Sequence, residues 1–265
     1  MNAVSTPETT ALDGPAAGKW QAVAIEGMRH WTPVLRSFRI PRPPGFRFVP
    51  GHYARLGLDD GTGKPVWRPF SMVSGPDDDF LEFVVVLVPG GEFSERLRSR
   101  QAGDEILVEK LSLGFLTLDQ LAPGRDLWLL ASGTGIGPFV SLLRDGRTWR
   151  SFERLVLAHS VRRGDDLAYR EEIAALPGTR DGRLRYLPVV TRETLPGALN
   201  ARLPQLFADG ELQRAAGLEI DVARSRVMVC GNPELTREMR ALLAARGFQP
   251  GRRGVPGQMA FEKYW

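Results

Sequence analysis

One cysteine, Cys230, stands in a chain of 265 residues. No intrachain disulfide can form, and no iron–sulfur cluster held by four cysteines can be built. Electron chemistry, if present, must therefore use an organic or otherwise bound cofactor. The three histidines, His30, His52 and His159, show no metal-ligand spacing with one another or with Cys230, so no metal is expected. No apolar run approaches the roughly 20 residues needed to cross a bilayer, and no membrane role is expected. Met1 to Gly18 has neither the basic start nor the apolar centre of a secretory signal. Residues 1–18 read as a flexible tail, and the expected compartment is the cytoplasm. The net charge of +4 is too mild to imply nucleic-acid binding, yet it suits acidic partners and phosphate ligands. A Ser-His-Asp arrangement, internal repeats and low-complexity segments are also missing.

What is present divides into two rhythms. From Trp20 to about Asp119 there are short β-prone runs: Val23–Ile25, Val34–Ile40, Tyr53–Leu58, Phe70–Val73, Leu81–Val88 and Ile106–Val108. Turns rich in Pro, Gly and Asp separate them, as in an antiparallel barrel or sandwich. Ser94–Arg98 is the one helical insert expected there. After Ala122-Pro123-Gly124 the runs become continuously apolar, as in Leu127–Ala131, Leu155–Ala158, Tyr186–Val190 and Val227–Val229, which suits strands buried on both faces. Helical stretches alternate with them, notably Phe139–Arg144, Ala168–Ala175 and Leu235–Arg246, so a parallel α/β sheet is expected. The domain boundary is expected between residues 122 and 123, giving domains over 19–122 and 123–265.

Six segments carry chemistry. Arg68-Pro69-Phe70-Ser71 offers a cation for a phosphate, an aromatic face for a planar ring and a hydroxyl for a ring heteroatom, with Pro69 stiffening the backbone. Gly90-Gly91-Glu92-Phe93-Ser94 opens the helical insert, with Ser94 placed to cap it or to donate to an anion. The run Leu127–Ala131 enters Ser132-Gly133-Thr134-Gly135-Ile136-Gly137-Pro138. There, glycines allow close approach of a phosphate and the following helix offers its N–H groups. The second apolar strand ends in His159-Ser160-Val161-Arg162-Arg163 with no acid before Asp165. Arg192 and Arg202 can reach the same region, a pattern that favours NADP over NAD. Finally, Val229-Cys230-Gly231-Asn232-Pro233 puts Cys230 at the carboxyl end of a strand, where ligands bind in such sheets. Cys230 reads equally well as a small core residue. The closing Phe261-Glu262-Lys263-Tyr264-Trp265 is either a last packed strand or a stacking surface for a flat ligand.

These motifs, in this order and over about Trp20 to Trp265, resemble the ferredoxin/flavodoxin–NADP reductases of the bacterial type. The resemblance implies a FAD-binding antiparallel β-barrel followed by an NADP-binding α/β parallel-sheet domain. It implies that Arg68 holds FAD phosphates, that Phe70 stacks on the flavin ring and that Ser71 bonds the ring near its reactive nitrogen. Pro69, Val84, Val86, Gly91, Glu92, Phe93, Ser94, Tyr264 and Trp265 would complete the FAD site, with Trp265 against the adenine. Thr134 would lie between flavin and nucleotide. Gly133, Gly135, Ile136, Val161, Gly231, Asn232 and Pro233 would line the NADP site. Arg162, Arg192 and Arg202 would take its 2′-phosphate end, and Cys230 would lie beside the nicotinamide. Ser71 and Cys230 are expected to orient the rings, and Glu262 to relay a proton. The family usually has Tyr where Phe70 stands, so a hydroxyl worth about 1 kcal/mol is missing. The segment Arg252–Val255 is less basic than in some relatives. The implied partner is a ferredoxin or flavodoxin, served by a monomer. The alternatives are a reductase component supplying an oxygenase, or a flavin-binding regulatory subunit without turnover.

Overall fold

The computed structural model describes residues 18–59, 62–179, 181–252 and 254–264. Most of the expected tail, together with Arg253 and Trp265, lies outside the described residues. Seven strands come first: β1 (Trp20–Ala24), β2 (Gly27–His30), β3 (Leu35–Pro41), β4 (Tyr53–Leu58), β5 (Val66–Ser71), β6 (Phe80–Val86) and β7 (Glu105–Leu113). They pair antiparallel in two sheets, ordered β1-β7-β4-β5 and β2-β3-β6. A bridge between Met72 and Phe83 joins the sheets. The alternation of β4, with Ala54, Leu56 and Leu58 buried and Arg55 exposed, shows how a period of two fills one core. Phe38, Leu56, Met72, Leu81 and Phe83 are at its centre.

The helix α1 (Glu92–Arg98) begins two residues earlier than the sequence suggests. Its N-cap is Gly91, which makes no side-chain bond. Ser94 therefore lies inside the helix, where its hydroxyl accepts the Val88 N–H at 3.0 Å instead of capping.

The second half is a five-stranded, fully parallel sheet. Its strands are β8 (Asp126–Ser132), β9 (Arg154–Val161), β10 (Leu184–Val190), β11 (Ser225–Gly231) and β12 (Met259–Lys263), ordered β10-β9-β8-β11-β12. Every residue of β11 is buried, and all of β8 except Ser132, as their apolar runs require. Helices α2 (Ile136–Arg144), α3 (Gly146–Ser151), α4 (Arg170–Thr179), α5 (Leu203–Ala208), α6 (Glu211–Ala216) and α7 (Pro233–Ala245) connect and cover the strands. The sequence reading omits α3, α5 and α6. Each has only six residues, too few to display a 3.6-residue period. Local punctuation holds α6 in place, with Gly210 and Gly217 in the left-handed region at its two ends.

The two halves share a core in which Leu35, Val73 and Val84 pack with Leu129, Ile136 and Phe139. A buried carboxylate pins the same junction. Glu82, on β6, accepts from Arg144 Nη1 at 2.9 Å, from the Tyr169 hydroxyl at 3.0 Å and from Arg39 Nη2 at 3.3 Å. Tyr169 reaches it from a backbone with φ of 62°. That conformation costs a bulky residue on the order of 1–3 kcal/mol and persists only where its surroundings fix it. Among the described residues, no helix is long and apolar enough to cross a membrane.

Candidate functional site

The carboxyl ends of β8 and β11, the end of β5 and the last strand β12 converge on one place. Parallel register sets Cys230 opposite Ala131 on one side and Glu262 on the other. The Ser71 hydroxyl donates to Glu262 Oε1 at 2.7 Å, joining residues 191 positions apart in the chain. The Tyr264 backbone N–H donates to the Gly231 carbonyl at 2.9 Å, which brings the end of β12 against the end of β11. Ser71, Cys230, Glu262 and Tyr264 thus form a single polar cluster between the two halves of the molecule. Burial raises the Glu262 carboxyl above its ordinary range, and the Ser71 hydrogen bond offsets part of the rise. Burial, reinforced by Glu262, pushes the Cys230 thiol well up. Cys230 is therefore a neutral, fully buried thiol rather than a thiolate nucleophile.

On the barrel side, the Phe70 ring lies 5.0 Å from that of Phe93, tilted by 43°. Arg68 and Pro69 are exposed; Arg68 bonds only the Trp67 carbonyl, at 2.8 Å, and has no carboxylate partner among the described residues. Glu92 is held by Arg96 one turn along α1, at 2.8 Å. Val84 is buried in the shared core, whereas Val86 is 37% exposed and faces the cavity described below. Across β4, Tyr53 pairs with both Ser71 and Leu113. An exposed apolar side chain, Leu113, therefore stands two strands from Ser71, on the far side of Tyr53.

The glycine loop has a separate reason for each glycine. Gly133 sits at φ of 55°, in the left-handed region, and has open space around it. A Cβ on Gly135 would lie 2.7 Å from the carbonyl carbon of Cys230 and closer still to its oxygen. A Cβ on Gly137 would meet the Val84 side chain at 3.2 Å. His159 is wholly buried beneath the loop, with Nε2 3.0 Å from the Gly133 carbonyl. A carbonyl only accepts, so Nε2 carries the proton and Nδ1 is a buried lone pair with no protein partner. Burial drives the His159 pKa down to about 4, against a smaller opposing effect of the Gly133 bond. A histidine depressed in the folded state stabilises fully above pH 6.5, and the stabilisation is lost as pH falls towards 4. Urea unfolding should therefore show up to about 3 kcal/mol of acid-dependent loss across that window. His159→Gln, which keeps a donor for Gly133, should remove this slope; an unchanged slope in the variant would contradict the assignment.

Above the loop lies a cavity of about 1090 Å3. Ser132, Gly133 and Thr134 lie at one side, and Val34, Leu35 and Val86 contribute a wall from the barrel. The cavity brings together Val161, Arg162, Arg192, Arg202, Asn232 and Pro233, as the sequence suggests. Gly135, Ile136, Cys230 and Gly231 do not line it; they lie buried beneath. The Asn232 side chain caps α7 by accepting the Leu235 N–H at 2.8 Å, with Pro233 at the first helical position. Arg237, on α7, also lines the cavity and is absent from the sequence-derived set. One arginine on an exposed helix face gives no signal of its own in a sequence. Its place one turn beyond a capped strand end was the available clue.

Comparison with known proteins agrees with this geometry. Residues 28–111 match the oxidoreductase FAD-binding domain family and residues 129–241 the oxidoreductase NAD-binding domain family. The chain is 41% identical to the ferredoxin–NADP reductase A of Sorangium cellulosum, covering 89% of this chain and 87% of that one. It is 38% identical to the flavodoxin/ferredoxin–NADP reductase of Escherichia coli, covering 93% and 99%. A crystal structure of a ferredoxin NADP+ reductase from Neisseria gonorrhoeae with bound FAD and NADP superposes with a TM-score of 0.88 at 34% identity, covering 93% and 99%.

Proposed function

This chain belongs to the ferredoxin/flavodoxin–NADP reductase family, and we propose that it passes electrons between NADPH and a ferredoxin or flavodoxin through FAD held on its barrel. The observation that carries the reading is the Ser71–Glu262 bond, which ties the barrel strand with the Arg-Pro-Phe-Ser motif to the sheet beside the cavity. The residues present fit both groups. Arg68 offers a cation with no carboxylate partner among the described residues, Phe70 and Phe93 offer aromatic faces, and Leu113 offers exposed apolar surface to a large flat cofactor. The cavity has a glycine loop at one side and exposed arginines at the other, matching a long polyanionic dinucleotide.

Bound FAD supplies the conversion between two-electron hydride chemistry and one-electron transfer. The chain's own task is positioning and proton control. In this reading Ser71 presents its hydroxyl beside the ring site, with Glu262 fixing its rotamer and holding a proton readily because burial raises its pKa. Cys230 and Tyr264 supply an uncharged floor there. Thr134 lies where the two ligands would meet, and Arg162 and Arg192 take phosphate charge. Glu92, Phe93 and Ser94 are proposed to line the FAD pyrophosphate. The proposed domain limits are 19–122 and 123–265, and the proposed setting is the cytoplasm, with a monomer serving a separate carrier.

FAD-loaded protein should oxidise NADPH with ferricyanide and should also reduce a ferredoxin or flavodoxin. Turnover with ferricyanide but with neither carrier would overturn the carrier assignment.

A further inference from the structure

Four arginines line the cavity, and they are not equivalent. Arg162, Arg192 and Arg237 are exposed and have no ion pair among the described residues. Arg202 is already engaged: its Nη2 lies 2.9 Å from Glu238 Oε1 and 3.2 Å from Glu234 Oε1. Both acids are on α7, where positions four apart share a face and Arg237, three residues after Glu234, stands beside them. An anion reaching Arg202 must displace two carboxylates or sit close to them, and like charges oppose that. The same acids stand near Arg237, but their carboxylates are turned to Arg202, and Arg237 is exposed with no ion pair among the described residues, so an anion there displaces no carboxylate.

We propose that Arg237 is a phosphate-binding residue of the dinucleotide cavity, and that Glu234 and Glu238 hold Arg202 in reserve so that it contributes less than its position suggests. This rests on the reading above that the arginine end of the cavity takes the 2′-phosphate. It changes the division of labour within that end: the cation from the helix after β11 replaces the one that begins α5. It also gives the two acids a function. They keep the site from binding phosphate too tightly, which lets a spent dinucleotide leave.

The test is a calorimetric titration of FAD-loaded protein with 2′-AMP and, separately, with 5′-AMP. Neither ligand carries a nicotinamide, so binding is read without turnover. Arg237→Gln should weaken 2′-AMP by about tenfold, as expected for one charge-assisted contact at a partly solvated site. Arg202→Gln in the otherwise unaltered protein should weaken it by about threefold or less, since the acids already blunt that cation. In the double variant Glu234→Gln/Glu238→Gln, 2′-AMP should bind more tightly, and Arg202→Gln added to that background should then cost about tenfold. All substitutions lie on exposed or half-buried surface, and unchanged melting temperatures will show that the fold is intact. An Arg237→Gln protein that binds 2′-AMP as the parent does would overturn the proposal. So would an acid-free variant with no gain in affinity. If the parent itself shows no preference for 2′-AMP over 5′-AMP, the 2′-phosphate reading fails first, and that result is distinguishable from the other two.

Discussion

Gly135→Val is expected to lower kcat/KM for NADPH by about a hundredfold, because a displacement of roughly 1 Å in a reacting assembly has a cost of that order. The Gly135 backbone, with φ of −60° and ψ of −6°, suits any residue, so conformational freedom is not the reason for glycine. Contact is the reason. An added Cβ would stand 2.7 Å from the Cys230 carbonyl carbon and 3.1 Å from the Gly231 nitrogen, with the Cys230 oxygen nearer still. These are backbone atoms of a fully buried interior strand, and they cannot rotate away. The loop must therefore lift off the end of β11, and with it Thr134 moves relative to Cys230 and Ser71. Gly137→Ala is the control, since its Cβ would meet side chains of Val84 at 3.2 Å and Val73 at 3.4 Å, which can yield. Its expected loss is a few-fold. Steady-state kinetics with ferricyanide, alongside melting temperatures, separates misplacement from unfolding. A Gly135→Val protein with parental kcat/KM would show that the close approach has no catalytic consequence.

Removing both exposed arginines just beyond the ends of β9 and β10 is the second large effect. Arg162→Ala/Arg192→Ala should raise the KM for NADPH by about 10²–10³-fold, taking 1.5–3 kcal/mol for each charge-assisted contact and allowing for solvent. The KM for NADH should change by less than threefold, because a ribose hydroxyl offers these side chains no charge. The Arg192 backbone N–H donates to the Arg162 carbonyl at 3.0 Å, so the two side chains start from adjoining backbone. Substitution at both leaves that bond intact. Parallel loss for both dinucleotides would mean that these arginines act on a part the two share, such as the pyrophosphate, and not on the 2′-phosphate.

The barrel and the parallel sheet were legible because each follows a local rule. Short alternating runs between turn residues made the first sheet pair, and continuous apolar runs such as Leu127–Ala131 marked strands covered on both faces. The glycine loop, Arg162 and Arg192 stand out in the sequence as polar or flexible residues at strand ends, and Arg202, at the start of α5, shares their cavity. Other features depend on strand order, which no local pattern encodes. Glu262 meets Cys230 only because β12 lies beside β11, and Ser71 meets Glu262 only because the barrel docks there. Glu82 reads as one acid in an apolar strand, yet it is the buried acceptor that ties Arg144 and Tyr169 to the barrel. Arg237 reads as one more charge on a solvated helix. Ser94 reads as a cap because the helix start was placed two residues late. Trp265, the residue expected to stack on adenine, lies outside the described residues.

The central claim is that the barrel motif and the arginine-lined cavity serve one redox reaction across the Ser71–Glu262 junction. Its most direct test is to mix FAD-loaded protein with NADPH in a stopped-flow instrument without oxygen and to follow the visible flavin band. Rapid loss of that band is the predicted result, much slower with NADH, and slowed in Ser71→Ala protein that still retains its FAD. A yellow, folded protein whose flavin band does not respond to NADPH would contradict the claim.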